Sequence, residues 1–206
     1  MVDDPARRGQ RVYDRWATYG PAYRLVDRLS RSMREAAVRA LAPDAGDAVV
    51  DLGCGPGGSF PLLAEAVGPE GEVIGVDYSA EMVRAAAERA AAYPSVSVFR
   101  ADASELGLRA DSVDGAFASL ALSAMPDVTG VFDEIERVVR PGGRVAVIDG
   151  RVPDGAFGNA VMKAYRRVVN FQHADVLADL RRRFESVTVV ERFDAGLGFV
   201  ARVDVD

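Results

Sequence analysis

Apolar residues recur along this chain in two rhythms. Over residues 21–41, PAYRLVDRLSRSMREAAVRAL, the residues Ala22, Val26, Leu29, Met33, Ala37 and Leu41 fall at helical spacing, with arginines and acids on the other side. Pro43 and Gly46 end that helix. From there, short β-branched runs alternate with helical segments. The runs are AVVDL at 48–52, EVIGV at 72–76, VSVFR at 96–100, VDGAFASL at 113–120 and RVAVID at 144–149. Ser79 is placed to cap EMVRAAAERAAA, with Glu81 in its first turn. Asp127 is placed to cap VTGVFDEIERVVR, which Pro141-Gly142-Gly143 stops.

Strands that alternate with helices imply parallel pairing, right-handed crossovers and helices on both sheet faces. The rhythm breaks at residues 186–205, SVTVVERFDAGLGFVARVDV, two strand-like runs around a glycine-rich turn that predict an antiparallel hairpin. The expected fold is therefore α/β: a doubly wound, mostly parallel seven-stranded sheet closed by that hairpin. No repeat or linker marks a second domain, and 206 residues suit a single one. Within it, residues 43–150 form the predicted core, 1–42 an N-terminal helical lid, and 151–206 further helices and the hairpin.

Composition narrows the partners. A net charge of −6 gives nucleic acid and anionic bilayers no general attraction. The only lysine is Lys163, so arginine carries almost all the positive charge. One cysteine, Cys54, and one histidine, His173, rule out an internal disulfide and a Cys/His metal cluster, and no metal is expected. The first ten residues, MVDDPARRGQ, lack the apolar core of a signal peptide. The longest apolar run, 116–126, is well short of the roughly 20 residues of a membrane span. The expectation is a cytoplasmic protein, monomeric or homodimeric.

In a doubly wound sheet the ligand sits beyond the carboxyl ends of the strands, where strand order reverses. The first strand aims VVDLGCGPGG, residues 49–58, at that place. Gly53, Gly55 and Gly58 have the G-x-G-x-x-G spacing of a dinucleotide turn. Asp77 follows the second strand at the ~20-residue interval where an acid commonly bonds a ribose. Both features suit a nicotinamide cofactor and S-adenosylmethionine alike. Asp51 separates the two, because a carboxylate aimed into the turn repels a pyrophosphate and favours a cationic amino-acid end. Asp102, after the third strand, can accept from an adenine amine. Singly, each acid reads as a cap; three at successive strand ends do not. Cys54 reads as a small buried residue, since no partner is at hand to activate its thiol.

The chain resembles the class I S-adenosylmethionine-dependent methyltransferases. The matching stretches, in order, are VVDLGCGPGG, VIGVDYSAEMV, FRADASEL, DGAFASLALSAMPD and RVVRPGGRVAVID. RVYDRWATYG, near the N-terminus, is similar to the Y-D-x-x-A-x-x-Y segment of the quinone and phospholipid methyltransferase branch. The resemblance implies S-adenosylmethionine contacts at Asp51, Gly53, Cys54, Gly55, Gly57, Asp77, Tyr78, Met82, Asp102, Ala103 and Ser119, with Tyr13 and Tyr19 from the lid. It implies methyl transfer to a small acceptor, quinone-like or lipid-like.

After the fourth strand the chain reads LALSAMPD, with Ser123 where many members of the family carry histidine. No catalytic base is therefore named, and His173 reads as a satisfied or solvent-facing side chain. The acceptor pocket is expected from Tyr13, Trp16, Tyr19 and Tyr23 and from Phe157, Met162, Tyr165 and Phe171, residues that also read as helix packing. Arg166, Arg167 and Arg181 to Arg183 read as a solvated face or as a contact for an anionic acceptor. The competing readings are a nicotinamide-dependent oxidoreductase and a protein that binds S-adenosylmethionine without catalysis.

Overall fold

The computed structural model describes residues 27–28, 30–150, 172–173, 175–193 and 198–206. In chain order the elements are α1 (Arg31–Leu41), β1 (Ala48–Leu52), α2 (Phe60–Val67), β2 (Glu72–Asp77), α3 (Ala80–Ala90), β3 (Val96–Arg100) and β4 (Val113–Ser119). A short 3-10 turn (Leu122–Ala124) follows, then α4 (Val128–Val138), β5 (Val139–Gly150), α5 (Val176–Arg183), β6 (Val187–Phe193) and β7 (Gly198–Asp204).

The strands form one 7-stranded sheet in the order β3-β2-β1-β4-β5-β7-β6. Pairing is parallel from β3 through β5. β7 runs antiparallel to both β5 and β6, so the predicted terminal hairpin is present. Strand order reverses between β1 and β4, which fixes the carboxyl ends of those two strands as the ligand crevice.

Alternation along each strand divides the core into two layers. Val50, Leu52, Ala116, Ala118, Val145 and Val147 face α4 and α5. Val49, Val73, Phe117, Ala146 and Ile148 face α1, α2 and α3. Asp51 has the same parity as Val49, so its carboxyl points to the side covered by α1 and α2.

The predicted caps are both made. Ser79 Oγ accepts from the Met82 amide at 3.3 Å, and Asp127 accepts from the Gly130 amide at 2.9 Å. β5 departs from expectation by starting at Val139 rather than 144. α4 ends at Val138, before the Pro-Gly-Gly stretch expected to stop it, and with Val113 paired to Val139 and Gly115 to Arg144 that stretch bulges within β5.

Candidate functional site

The loop after β1 is held on three sides. The Cys54 amide donates to the Val76 carbonyl at 3.0 Å, tying the loop to β2. The Gly55 amide donates to Asp77 Oδ2 at 2.9 Å. Gly53 has φ 64 and packs so closely that a Cβ there would lie 2.7 Å from Ala121 Cβ and 3.0 Å from Met125 Cε. Only glycine fits that turn at that distance. Gly55 and Gly57 also lie in the left-handed region. Burial, then the charges of Asp51 and Asp77, push the Cys54 thiol well up, which disfavours its thiolate.

The three acids read from sequence differ in environment. Asp77 accepts from Gly55 through one oxygen and from the Ser79 amide through the other, at 2.9 Å each. Asp102 is exposed and its Oδ1 accepts from the Ser104 amide and hydroxyl, so a local turn occupies that oxygen. Asp51 is 1% exposed, and neither carboxyl oxygen has a hydrogen-bond partner. Burial, then the charge of Asp77, push its carboxyl up to about 8, against the pull of Arg34. An unsatisfied buried polar group costs about 1–3 kcal/mol, and more when charged. Such an atom in a glycine turn points to a ligand that donates to it.

Arg34 was not among the residues expected here, because the helical pattern put it on the polar side of α1. It is 5% exposed and packs beside the loop: a Cβ on Gly58 would lie 3.4 Å from its guanidinium carbon. Arg34 donates to Ser30 Oγ at 2.9 Å and pairs with Asp27 at 2.8 Å, while its Nε has no partner.

The remaining expected contacts line the same end of the sheet. Tyr78, 41% exposed, follows β2, and the Arg100 guanidinium lies 5.9 Å from its ring centre. Met82 and Ala103 are buried, and Ser119 closes β4 opposite Ile148. Tyr13 and Tyr19, with Trp16, Tyr23, Phe157, Met162, Tyr165, Arg166, Arg167 and Phe171, lie outside the described residues.

On the β4 side, Leu120 holds φ 55 and is 43% exposed, an apolar side chain in a strained conformation at the mouth of the crevice. Ser123 is buried, and its amide donates to Asp149 Oδ2 at 2.9 Å. Burial pushes the Asp149 carboxyl up, opposed by hydrogen bonds from Ser123 and Gly150 and by His173. His173 Nε2 lies 2.9 Å from the Met125 carbonyl and Nδ1 3.7 Å from Asp179 Oδ2. One ring nitrogen thus bonds a backbone carbonyl and the other lies within ion-pair range of an acid, in line with a structural histidine. Arg183 pairs with Asp133 and Glu136, and Arg182 with Asp179, so acids of the chain itself answer those two charges. Among the described residues no cluster of acids, His and Cys could hold a metal, and no helix is long and apolar enough to cross a membrane.

A family described as a methyltransferase domain matches residues 49–143. The 2-phytyl-1,4-naphtoquinone methyltransferase of Synechococcus elongatus is 38% identical over 128 residues, covering 61% of this chain and 55% of that protein. The demethylmenaquinone methyltransferase of Listeria welshimeri is 31% identical over 169 residues, covering 75% of this chain and 72% of that protein. This chain spans only 29% to 55% of the length of several curated relatives that it matches at 38–41% identity. Among solved structures, an S-adenosylmethionine-dependent methyltransferase from Thermotoga maritima superposes with a TM-score of 0.72 at 22% identity, covering 96% of this chain and 100% of that one.

Proposed function

This chain belongs to the class I S-adenosylmethionine-dependent methyltransferases, and from that membership we propose that it methylates a small, lipophilic acceptor of quinone or lipid character. S-adenosylmethionine supplies a methyl group on a sulfonium, an electrophile that needs no covalent help from the protein. The residues present fit that cofactor. Asp51 offers its two unpartnered oxygens to an ammonium, Asp77 stands at the ribose position, and the glycine turn admits a ligand against its backbone. Tyr78, Met82, Ala103 and Ser119, from the loops and strand ends beside that turn, would border its nucleoside. Asp102 Oδ1 is taken up by Ser104, so an adenine amine would be met by Oδ2.

The observation that carries this reading is Asp51: a buried carboxyl with both oxygens unpartnered beside a glycine loop. A pyrophosphate brings no hydrogen-bond donor to those two oxygens, whereas an ammonium does, so the nicotinamide reading loses ground. The described residues supply no free base near β4. Ser123 and Asp149 bond each other, and His173 Nε2 is engaged by the Met125 carbonyl. The chain's part in the reaction is then to align the acceptor and exclude water. Leu120 and Met125 present apolar surface at the crevice mouth, which suits an apolar acceptor, as do the quinone substrates named for two relatives.

Residues 1–42 serve as a lid in this account. Its support is that Asp27 and Arg34 reach Gly58 of the loop. Residues 151–206 build the acceptor side, supported by the Gln172 and His173 amides, which donate to the Ser123 carbonyl. Incubation with methyl-labelled S-adenosylmethionine and separated lipid, quinone and polar extracts tests the proposal. Label is expected in the lipid and quinone fractions. Label confined to polar products overturns the acceptor class, and cofactor binding with no labelled product favours the non-catalytic reading.

A further inference from the structure

We propose that Asp149 is a positioning residue that, through Ser123, ties the acceptor side of the crevice to the glycine turn that takes the cofactor. This tie presupposes the cofactor reading above, and it recruits residues beyond the matched stretch 49–143.

The β4–β5 ladder ends where the Leu120 amide donates to the Ile148 carbonyl at 2.7 Å. Leu120, at φ 55, then turns the chain off the sheet, and the next residue of β5 meets it with a side chain in place of main chain. Asp149 shares the parity of Val145 and Val147, so its carboxyl points to the α4 side, away from the face of Asp51. There it is 1% exposed. Oδ2 accepts from the Ser123 amide at 2.9 Å and Oδ1 from the Gly150 amide at 2.7 Å. The Ser123 side chain also favours the charged form. Donors at both oxygens suit a carboxylate, which only accepts.

Ser123 is held from its other side too. Its carbonyl accepts from the Gln172 and His173 amides at 2.6 and 3.0 Å, and His173 Nε2 lies 2.9 Å from the Met125 carbonyl. The chain around Ser123 is a 3-10 turn, closed by the Ala124 amide on the Ala121 carbonyl and the Met125 amide on the Leu122 carbonyl. Its flanks, Ala121 and Met125, are the side chains packed against Gly53. One carboxylate thus fixes a turn that touches the stretch 172–173 on one side and the cofactor turn on the other. Packed and hydrogen-bonded groups in unbroken contact are what carries coupling between sites.

The grip depends on charge. Protonation turns one oxygen into a donor that faces an amide, itself a donor. Burial holds the Asp149 carboxyl above its ordinary range, which brings the neutral form within reach as pH falls. His173 is the titratable group that acts on it, faced in turn by Asp179 of α5 at 3.7 Å. A charged His173 favours the carboxylate and opposes the change.

Calorimetric titration of the full chain with S-adenosylhomocysteine, in wild type and in Asp149→Asn, tests this. The variant's amide accepts at one end only, so it is expected to bind about threefold or more weakly at about pH 8. The ratio of the two affinities is expected to shrink toward one as pH falls to about 5, where wild type also carries a neutral group. Asp51 titrates in both proteins and cancels from the ratio. Loss of packing alone gives a ratio that stays constant. Exchange of the Gln172 and His173 amides, followed by NMR, is expected to slow when S-adenosylhomocysteine is added to wild type and to respond less in Asp149→Asn. The wild-type exchange measurement needs no variant to fold. Equal affinities at about pH 8, a constant ratio, or exchange at 172–173 indifferent to the ligand overturns the tie and leaves the cofactor reading intact. Wild type that does not bind S-adenosylhomocysteine overturns both.

Discussion

The Gly55 amide donates to Asp77 Oδ2 at 2.9 Å, joining the turn after β1 to the acid that ends β2. One carboxylate therefore shapes the glycine loop from the end of β2, where the proposed reading puts the ribose. The second Asp77 oxygen accepts from the Ser79 amide and sets the entry of α3.

Asp77→Ala removes a charge-assisted bond to the ligand, worth roughly 1.5–3 kcal/mol, and releases the loop amide as well. Affinity for S-adenosylmethionine should fall about tenfold or more by calorimetry. Unchanged affinity contradicts the ribose assignment.

Asp51→Asn should stabilise the ligand-free protein at neutral pH while weakening the cofactor. The folded carboxyl titrates at about 8, above its ordinary value. Between the unfolded and folded values the folded state holds a proton that the unfolded state has lost. Stability therefore falls as pH rises from about 4 to about 8. Asp149, also raised, adds a slope of the same sign. In Asp51→Asn the slope should flatten and stability above pH 7 should rise by a few kcal/mol, on the scale of 1.4 kcal/mol per unit. Denaturant midpoints from pH 5 to 9 check this, and an identical slope in both proteins contradicts it.

Leu120→Gly separates stability from acceptor binding. Leu120 sits at φ 55, where a side chain costs about 1–2 kcal/mol. Glycine relieves that cost and gives back about 0.5–1 kcal/mol in backbone entropy. The variant should melt no lower than wild type, yet its KM for the acceptor should rise severalfold. A lower melting point with unchanged KM contradicts an acceptor contact.

Gly53→Ala should have the opposite character. It forces a side chain into φ 64 and into Ala121 Cβ at 2.7 Å. A loss of about 1–2 kcal/mol from the backbone alone is expected, or roughly 2–8 °C in melting temperature. Cofactor affinity should drop with it. A melting temperature and affinity equal to wild type sink this reading of the turn.

His173→Gln should leave kcat within a few-fold of wild type, because His173 Nε2 is engaged by the Met125 carbonyl and its ring packs beside Asp179. A loss of a hundredfold or more, on the scale of a lost general base, contradicts the satisfied role.

Much of this was legible in the sequence because it is set locally. β-branched runs between capped helices specify strands and helices in alternation, and Ser79 and Asp127 cap as their spacing predicts. The strand-end acids follow from strand parity and length alone. Arg34 was not legible, because its burial depends on how α1 lies over β1, a long-range packing choice that can override helical periodicity. Asp102 shows the converse: a nearby Ser104 takes one of its oxygens, a local event the strand-end pattern concealed. The early start of β5 hides behind Pro141 and two glycines, residues that ordinarily break a strand.

The central claim is that a buried carboxyl in the glycine turn waits for a cationic amino-acid end. Titration of S-adenosylmethionine into the wild-type chain at pH 7, in two buffers of different ionisation enthalpy, tests it most directly. At that pH the free Asp51 carboxyl, titrating at about 8, is mostly protonated, and an incoming ammonium favours the carboxylate. The predicted result is saturable binding whose apparent heat differs between buffers by the release of up to one proton, a difference absent in Asp51→Asn. Absence of binding, or binding with no proton released, contradicts it.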